Sequence, residues 1–143
     1  MTIKAGLDNS VFRFVEHELY NYQETIKDLK EINHDDIETK SSGNLLPYDR
    51  YSSNRSYPWG SSTEDCGIDL ITNKIAYRMK RTIEAIGRAK KRLDDEKKEL
   101  FRLKYQKGMS WQQITIEINI SRRTYYRWRD EIVYITAEEM GLC

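Results

Sequence analysis

The stretch INISRRTYYRWRDEI, Ile118 to Ile132, sets four arginines and two adjacent tyrosines behind a short apolar run and a single serine. Arginine carries a planar fork that matches O6 and N7 of guanine and pairs equally well with phosphate oxygens. On a helix opening at Ser121, the side chains of Tyr125, Trp128 and Ile132 fall at i, i+3 and i+7 and share one face. That spacing predicts packing against Ile114, Ile118 and Ile120. The other face then presents Ser121, Arg122, Arg123, Tyr126, Arg127 and Asp130. A recognition helix reads base edges in the major groove mainly with its amino-terminal turns. Arg122, Arg123 and Arg127 are therefore candidates for base edges. Ser121, with the free amides of the helix start, suits a phosphate, and Tyr126 suits a thymine methyl or a sugar. The chemistry this implies is contact with double-stranded DNA.

Nothing in the chain implies catalysis in the same way. His17 and His34 are the only histidines, and Cys66 and Cys143 the only cysteines, with no CxxC pair. Neither a metal site nor a disulfide framework is suggested, and no cofactor is expected. No GxSxG, no glycine-rich phosphate loop and no carboxylate cluster with metal-ligand spacing occurs, so an enzyme is not expected.

The charge distribution fits a nucleic-acid partner. The formal net charge of the 143 residues is only +1, yet residues 72–133 hold 17 Lys and Arg against 8 Asp and Glu. Residues 1–40 hold 5 against 9. A basic carboxy-terminal half suits a polyanion, and an acidic amino-terminal half suits some other partner. No apolar run approaches the roughly 20 residues of a membrane span, and MTIKAGLDNS lacks a secretory apolar stretch. No membrane association is expected, and the cytoplasm is the expected location.

The elements that must position the arginines follow from periodicity. Phe12, Val15, Leu19, Tyr22, Ile26 and Leu29 alternate steps of three and four, which predicts a long amino-terminal helix. From about residue 41 to 67 the chain is rich in Ser, Asn, Gly and Tyr and holds both prolines, and an irregular linker is expected there. Tyr48, Tyr51, Tyr57 and Trp59 in it are expected to pack loosely on the chain's own helices. Helical spacing returns at Ile68, Ile71, Ile75, Met79, Ile83, Ile86 and Leu93, on a helix that also carries Lys90, Lys91 and Arg92. Two roles fit that triplet, holding phosphates beside the groove or keeping the helix soluble. Two arrangements likewise fit the two seams, an antiparallel hairpin within the chain or pairing with a second copy; for a homodimer the candidates are Phe12, Val15, Leu19 and Tyr22.

A third helix is predicted from Asp94 to Gly108, with acids at its positive end and glycine at its stop. Ser110 three residues before Gln113 fits a capping box, Asn119 a left-handed turn, Ile120 its plug and Ser121 a second cap. Residues 110–134 thus read as a helix-turn-helix. Arginines on an isolated short helix are ordinarily a solvated face. Here glycine stop, caps, turn and buried aromatics all fall in register with them, which favours DNA. Trp111 and Trp128 are expected in the core. The fold expected is all-α, in three parts: an acidic helical segment 1–40, a linker 41–67, and a basic DNA-binding domain 68–143.

The segment EKKELFRLKYQKGMSWQQITIEINISRRTYYRWRDEI resembles the carboxy-terminal helix-turn-helix of sigma factors, sigma region 4. Together with FRFVEHELYNYQETIKDLKEI near the start and AEEMG at Ala137 to Gly141, it makes nearly the whole chain similar to the RinA/ArpU-type regulators of phages and prophages in low-GC Gram-positive bacteria. That resemblance implies an activator of late phage genes, for packaging and morphogenesis, that binds upstream of a promoter and acts with host RNA polymerase in the bacterial cytoplasm. It places Ser121, Arg122, Arg123, Tyr126 and Arg127 at the recognition-helix positions. Thr115 and Tyr125 depart from the pattern, standing where such motifs keep a small alanine and a small aliphatic residue. The alternative from another class is a small terminase subunit, a DNA-packaging protein that forms a ring of many copies.

Overall fold

The computed structural model describes residues 7–42 and 61–143, as backbone alone at 35–42, 61–66, 68 and 69. All regular structure among the described residues is helical, in agreement with the all-α expectation. Helix α1 spans Asn9–Ser42, α2 Ser61–Arg92, α3 Asp95–Phe101, α4 Trp111–Glu117 and α5 Arg122–Glu139, and a π-helical segment, Arg102–Gln106, continues α3. Both ends of the expected linker are helical, since α1 runs through Ser42 and α2 begins at Ser61 rather than near Ile68. Tyr48, Tyr51, Tyr57 and Trp59 lie outside the described residues.

The chain divides into two compact units, Lys27–Lys80 and a second built from Met1–Ile26 with Arg81–Cys143. The division differs from the linear one expected, because the first turns of α1 belong with the carboxy-terminal helices. Val15 and Leu19 of α1 are buried in one apolar cluster with Ile86, Leu93, Leu100, Phe101, Leu103, Ile114, Tyr125, Ile132 and Val133, and Phe12 and Tyr22 pack against it. The four dimer candidates on α1 are thus consumed within their own chain. The α1 seam meets a cluster drawn from α2, α3, α4 and α5 rather than a hairpin partner on α2 alone. Ala85 and Ala89, 3% and 2% exposed, put small side chains on the same face of α2 as Ile86 and Leu93.

The expected seam on α2 fails at its amino-terminal end. Ile86 and Leu93 are buried, but Ile71 is 61% exposed and Ile75 43%. The steps 71–75, 75–79 and 79–83 are all of four residues, and each overshoots a full turn by about 40°. Ile71 therefore lies about 120° around the helix from Ile83, while Thr72, Ala76 and Met79 take the half-buried positions.

The third helix also departs from expectation, changing from α to π at Arg102. The Lys107 amide donates to the Arg102 carbonyl at 3.0 Å, and the Met109 amide to that of Leu103 at 3.0 Å. The wider turn brings three consecutive residues, Leu103, Lys104 and Tyr105, to the buried face. Gly108 then reverses the chain at φ 68°, a conformation that glycine adopts without steric cost.

Candidate nucleic-acid interface

Ser110 and Ser121 start the two terminal helices, and both do so by local hydrogen bonding. Ser110 Oγ accepts from the Gln113 amide at 3.4 Å, while the Gln113 side chain accepts from the Ser110 amide at 3.1 Å, completing the capping box. Asn119 takes φ 51°, the turn conformation expected of it. Ser121 Oγ accepts from the Thr124 amide at 3.1 Å and caps α5. The serine expected to meet a phosphate is therefore already committed to its own helix, leaving the amides of the first turn of α5 to that role.

The inner face of α5 is as expected. Tyr125 and Ile132 are buried with Ile114, and Trp128, Ile118 and Ile120 pack against the same cluster. Thr115 turns its hydroxyl back to donate to the Gln112 carbonyl at 2.8 Å. Tyr125 fills the site of the expected small residue and is itself core.

On the outer face, Arg122, Arg123 and Arg127 are exposed, and they differ in what they touch. The Arg122 guanidinium lies 4.7 Å from the centre of the Trp111 ring and 5.6 Å from that of Tyr126. Half-buried Trp111 thus packs on the core and carries an arginine on its other side. Tyr126 is half-buried too, edge-on to Tyr125 at 5.1 Å and within 5.0 Å of the Arg129 guanidinium, so it is less available to a sugar or base than expected. Arg129 is fixed further by Asp130 at 2.6 Å and lies 5.0 Å from the Phe12 ring of α1. Asp130, expected on the open face, is its counter-ion.

Lys90, Lys91 and Arg92 do not join this cluster. Arg92 donates to Glu139 at 2.9 Å and to Glu138 at 3.0 Å, and Arg88 donates to Glu139 at 2.9 Å. These carboxylates sit at the far end of α5, about 24 Å along its axis from Arg122. Hydrogen bonds from Arg88 and Arg92 hold the Glu139 carboxyl below its ordinary range. Lys90 lies 5.1 Å from the Phe101 ring, and Lys91 is exposed. Both line a cleft of about 390 Å³ with Lys98, Phe101 and Arg102. Arg102 there is held by Glu99 at 3.0 Å.

Beneath α5 lies a polar cluster that sequence reasoning missed. Lys104, 8% exposed, donates to the Tyr20 hydroxyl at 2.7 Å and pairs with Glu16 at 3.4 Å. Its ammonium stands 5.1, 5.3 and 5.8 Å from the rings of Tyr20, Tyr105 and Tyr125. Burial pulls this ammonium down, but hydrogen bonds to Tyr20 and Tyr125 outweigh it and hold Lys104 above the ordinary lysine value. Burial, reinforced by the Glu16 charge, pushes the Tyr105 phenol well up. The partners lie more than 80 positions apart, so no local pattern announces them. Among the described residues no group of three or more His, Cys, Asp or Glu could hold a metal ion, and no helix is long and apolar enough to cross a membrane.

The described residues define an all-helical protein whose last long helix opens on arginines. Residues 19–138 match the model of a family described as a protein of unknown function, DUF722, and the chain belongs to that family. No curated protein and no solved structure matches it.

Proposed function

We propose that the chain is a sequence-specific regulator of transcription that binds double-stranded DNA, with α4 and α5 as its helix-turn-helix and α5 as the recognition helix. The observation that carries this reading is the start of α5. A helix amino terminus bears partial positive charge and favours acids, a rule α3 follows with Asp95 and Glu96 in its first turn. Helix α5 breaks it, placing Arg122 and Arg123 at its first two positions with no acid in that turn. Each such cation costs about 0.3–1 kcal/mol in the free protein. A bound polyanion removes that cost and adds contacts to the free amides.

Arg123 and Arg127 are the readers of base edges in this proposal, and Arg122 braces the helix against Trp111. The finer reading rests on the resemblance to RinA/ArpU-type regulators: an activator of late phage genes that works with host RNA polymerase. Lys90 and Lys91, which line the cleft with Lys98, are additional phosphate contacts in this proposal on their charge alone.

Retention of fragments from a restriction digest of the encoding phage or prophage genome tests this. The wild type should hold one promoter-upstream fragment selectively, and Arg123→Ala/Arg127→Ala should lose the selection. The logarithmic salt slope should fall by about 0.9 for each phosphate contact removed. Equal retention of all fragments by both proteins would refute sequence-specific reading. If accompanied by a ring of many copies in solution, it would favour the small terminase subunit.

A further inference from the structure

The amino-terminal half of α2 carries an apolar patch that its own unit leaves in solvent: Leu70 and Ile71 are each 61% exposed and Ile75 is 43% exposed. Positions 64, 68, 71, 75 and 78 alternate steps of four and three and so form one stripe along α2, a helix continuous from Ser61 to Arg92. The sequence fills that stripe with Glu64, Ile68, Ile71, Ile75 and Arg78. It reads as acid, three isoleucines and base, and is therefore complementary to itself when reversed.

We propose that a second copy of this chain docks on this stripe, α2 against α2 and antiparallel, with the two-fold axis beside Ile71. In that register position 64 of each copy falls opposite position 78 of the other and position 68 opposite 75, and the two Ile71 side chains meet. A two-fold interface uses the same patch on both partners, so each favourable pair occurs twice. A parallel pairing would set Glu64 on Glu64 and Arg78 on Arg78, and charge complementarity therefore selects the antiparallel form. This interface replaces the one expected at Phe12, Val15, Leu19 and Tyr22, and it does not depend on the DNA reading.

The self-complementary pattern supplies its own test, by sedimentation of the full chain over a concentration series. The wild type should sediment as a dimer of the 17.1 kDa chain, and Ile71→Glu/Ile75→Glu as a monomer of unchanged helicity. Glu64→Arg alone sets arginine against Arg78 twice, and Arg78→Glu alone sets glutamate against Glu64 twice. Each should self-associate about tenfold or more weakly. Mixed together, the two variants restore both opposite-charge pairs and should form a heterodimer. A wild type that stays monomeric or forms a large ring overturns the proposal. So does an unaffected isoleucine variant, or a mixture no more associated than its components.

Discussion

Replacing Arg122 by alanine separates a braced arginine from the one proposed to read DNA, and Arg123→Ala is the built-in control. Both substitutions remove one cation from the first turn of α5 and introduce the same residue. The helix-dipole and propensity contributions, each under about 1 kcal/mol, cancel in the comparison. What remains is the stacking of Arg122 on Trp111 at 4.7 Å and Tyr126 at 5.6 Å. A cation on an aromatic face at an exposed site is worth about 0.5–1 kcal/mol, so two rings give about 1–2 kcal/mol. For a unit of this size that corresponds to Arg122→Ala melting roughly 4–8 °C below Arg123→Ala for each 1 kcal/mol of difference. Thermal unfolding followed by circular dichroism measures it, and repeating the pair in a Trp111→Leu background should shrink the gap. DNA retention should rank the variants the other way, with Arg123→Ala the weaker binder. If the two variants melt together, the ring contacts stabilise nothing and the division of labour among the arginines fails.

Alkali should weaken the fold through Lys104 and Tyr105. Both hold their protons more tightly folded than unfolded, from ordinary values of 10.5 and 10.0. Their stabilising contribution is therefore complete below those values and is lost as pH rises through the folded ones. The melting temperature should hold up to about pH 10 and fall progressively above it, less steeply in Tyr105→Phe, and an equal slope in that variant would remove Tyr105 from the explanation. At the turn, Asn119→Gly should melt within a few degrees of wild type because φ 51° suits glycine. Asn119→Val should cost about 1–2 kcal/mol, and a valine variant as stable as wild type would contradict the left-handed turn.

The parts legible in the sequence were those fixed by neighbours in the chain. Ser110, Gln113, Asn119, Ser121 and the i, i+3, i+7 pattern of Tyr125, Trp128 and Ile132 act over one or two helical turns, and each took its expected place. The turn at Gly108 belongs to the same group. The π-helical segment was not legible, because its cause is tertiary: Leu103, Lys104 and Tyr105 all find buried partners, and the backbone widens to present all three. The α2 seam misled for a geometric reason, since isoleucines four apart three times running spiral off any one face. Nor was Arg92 separable from its neighbours in sequence, because Glu138 and Glu139 lie 46 and 47 positions away.

The same long-range contacts change what the first helix is for. As a sequence, an acidic amphipathic helix far from the arginines reads as an arm for a second protein. In the fold its early turns lie beneath α5: Glu16 and Tyr20 hold Lys104, Lys104 lies under the Tyr125 ring, and Phe12 lies under Arg129. A short helix of the kind formed by α4 is marginal in isolation and depends on tertiary packing for its stability. Here α1 contributes to that packing through Val15 and Leu19. The acid residues that face solvent further along α1, Glu24, Asp28 and Glu31, take no part in this support. Glu16 is thus committed to the fold, whereas Glu24, Asp28 and Glu31 are exposed acids whose charge could be reversed without disturbing the support of α5.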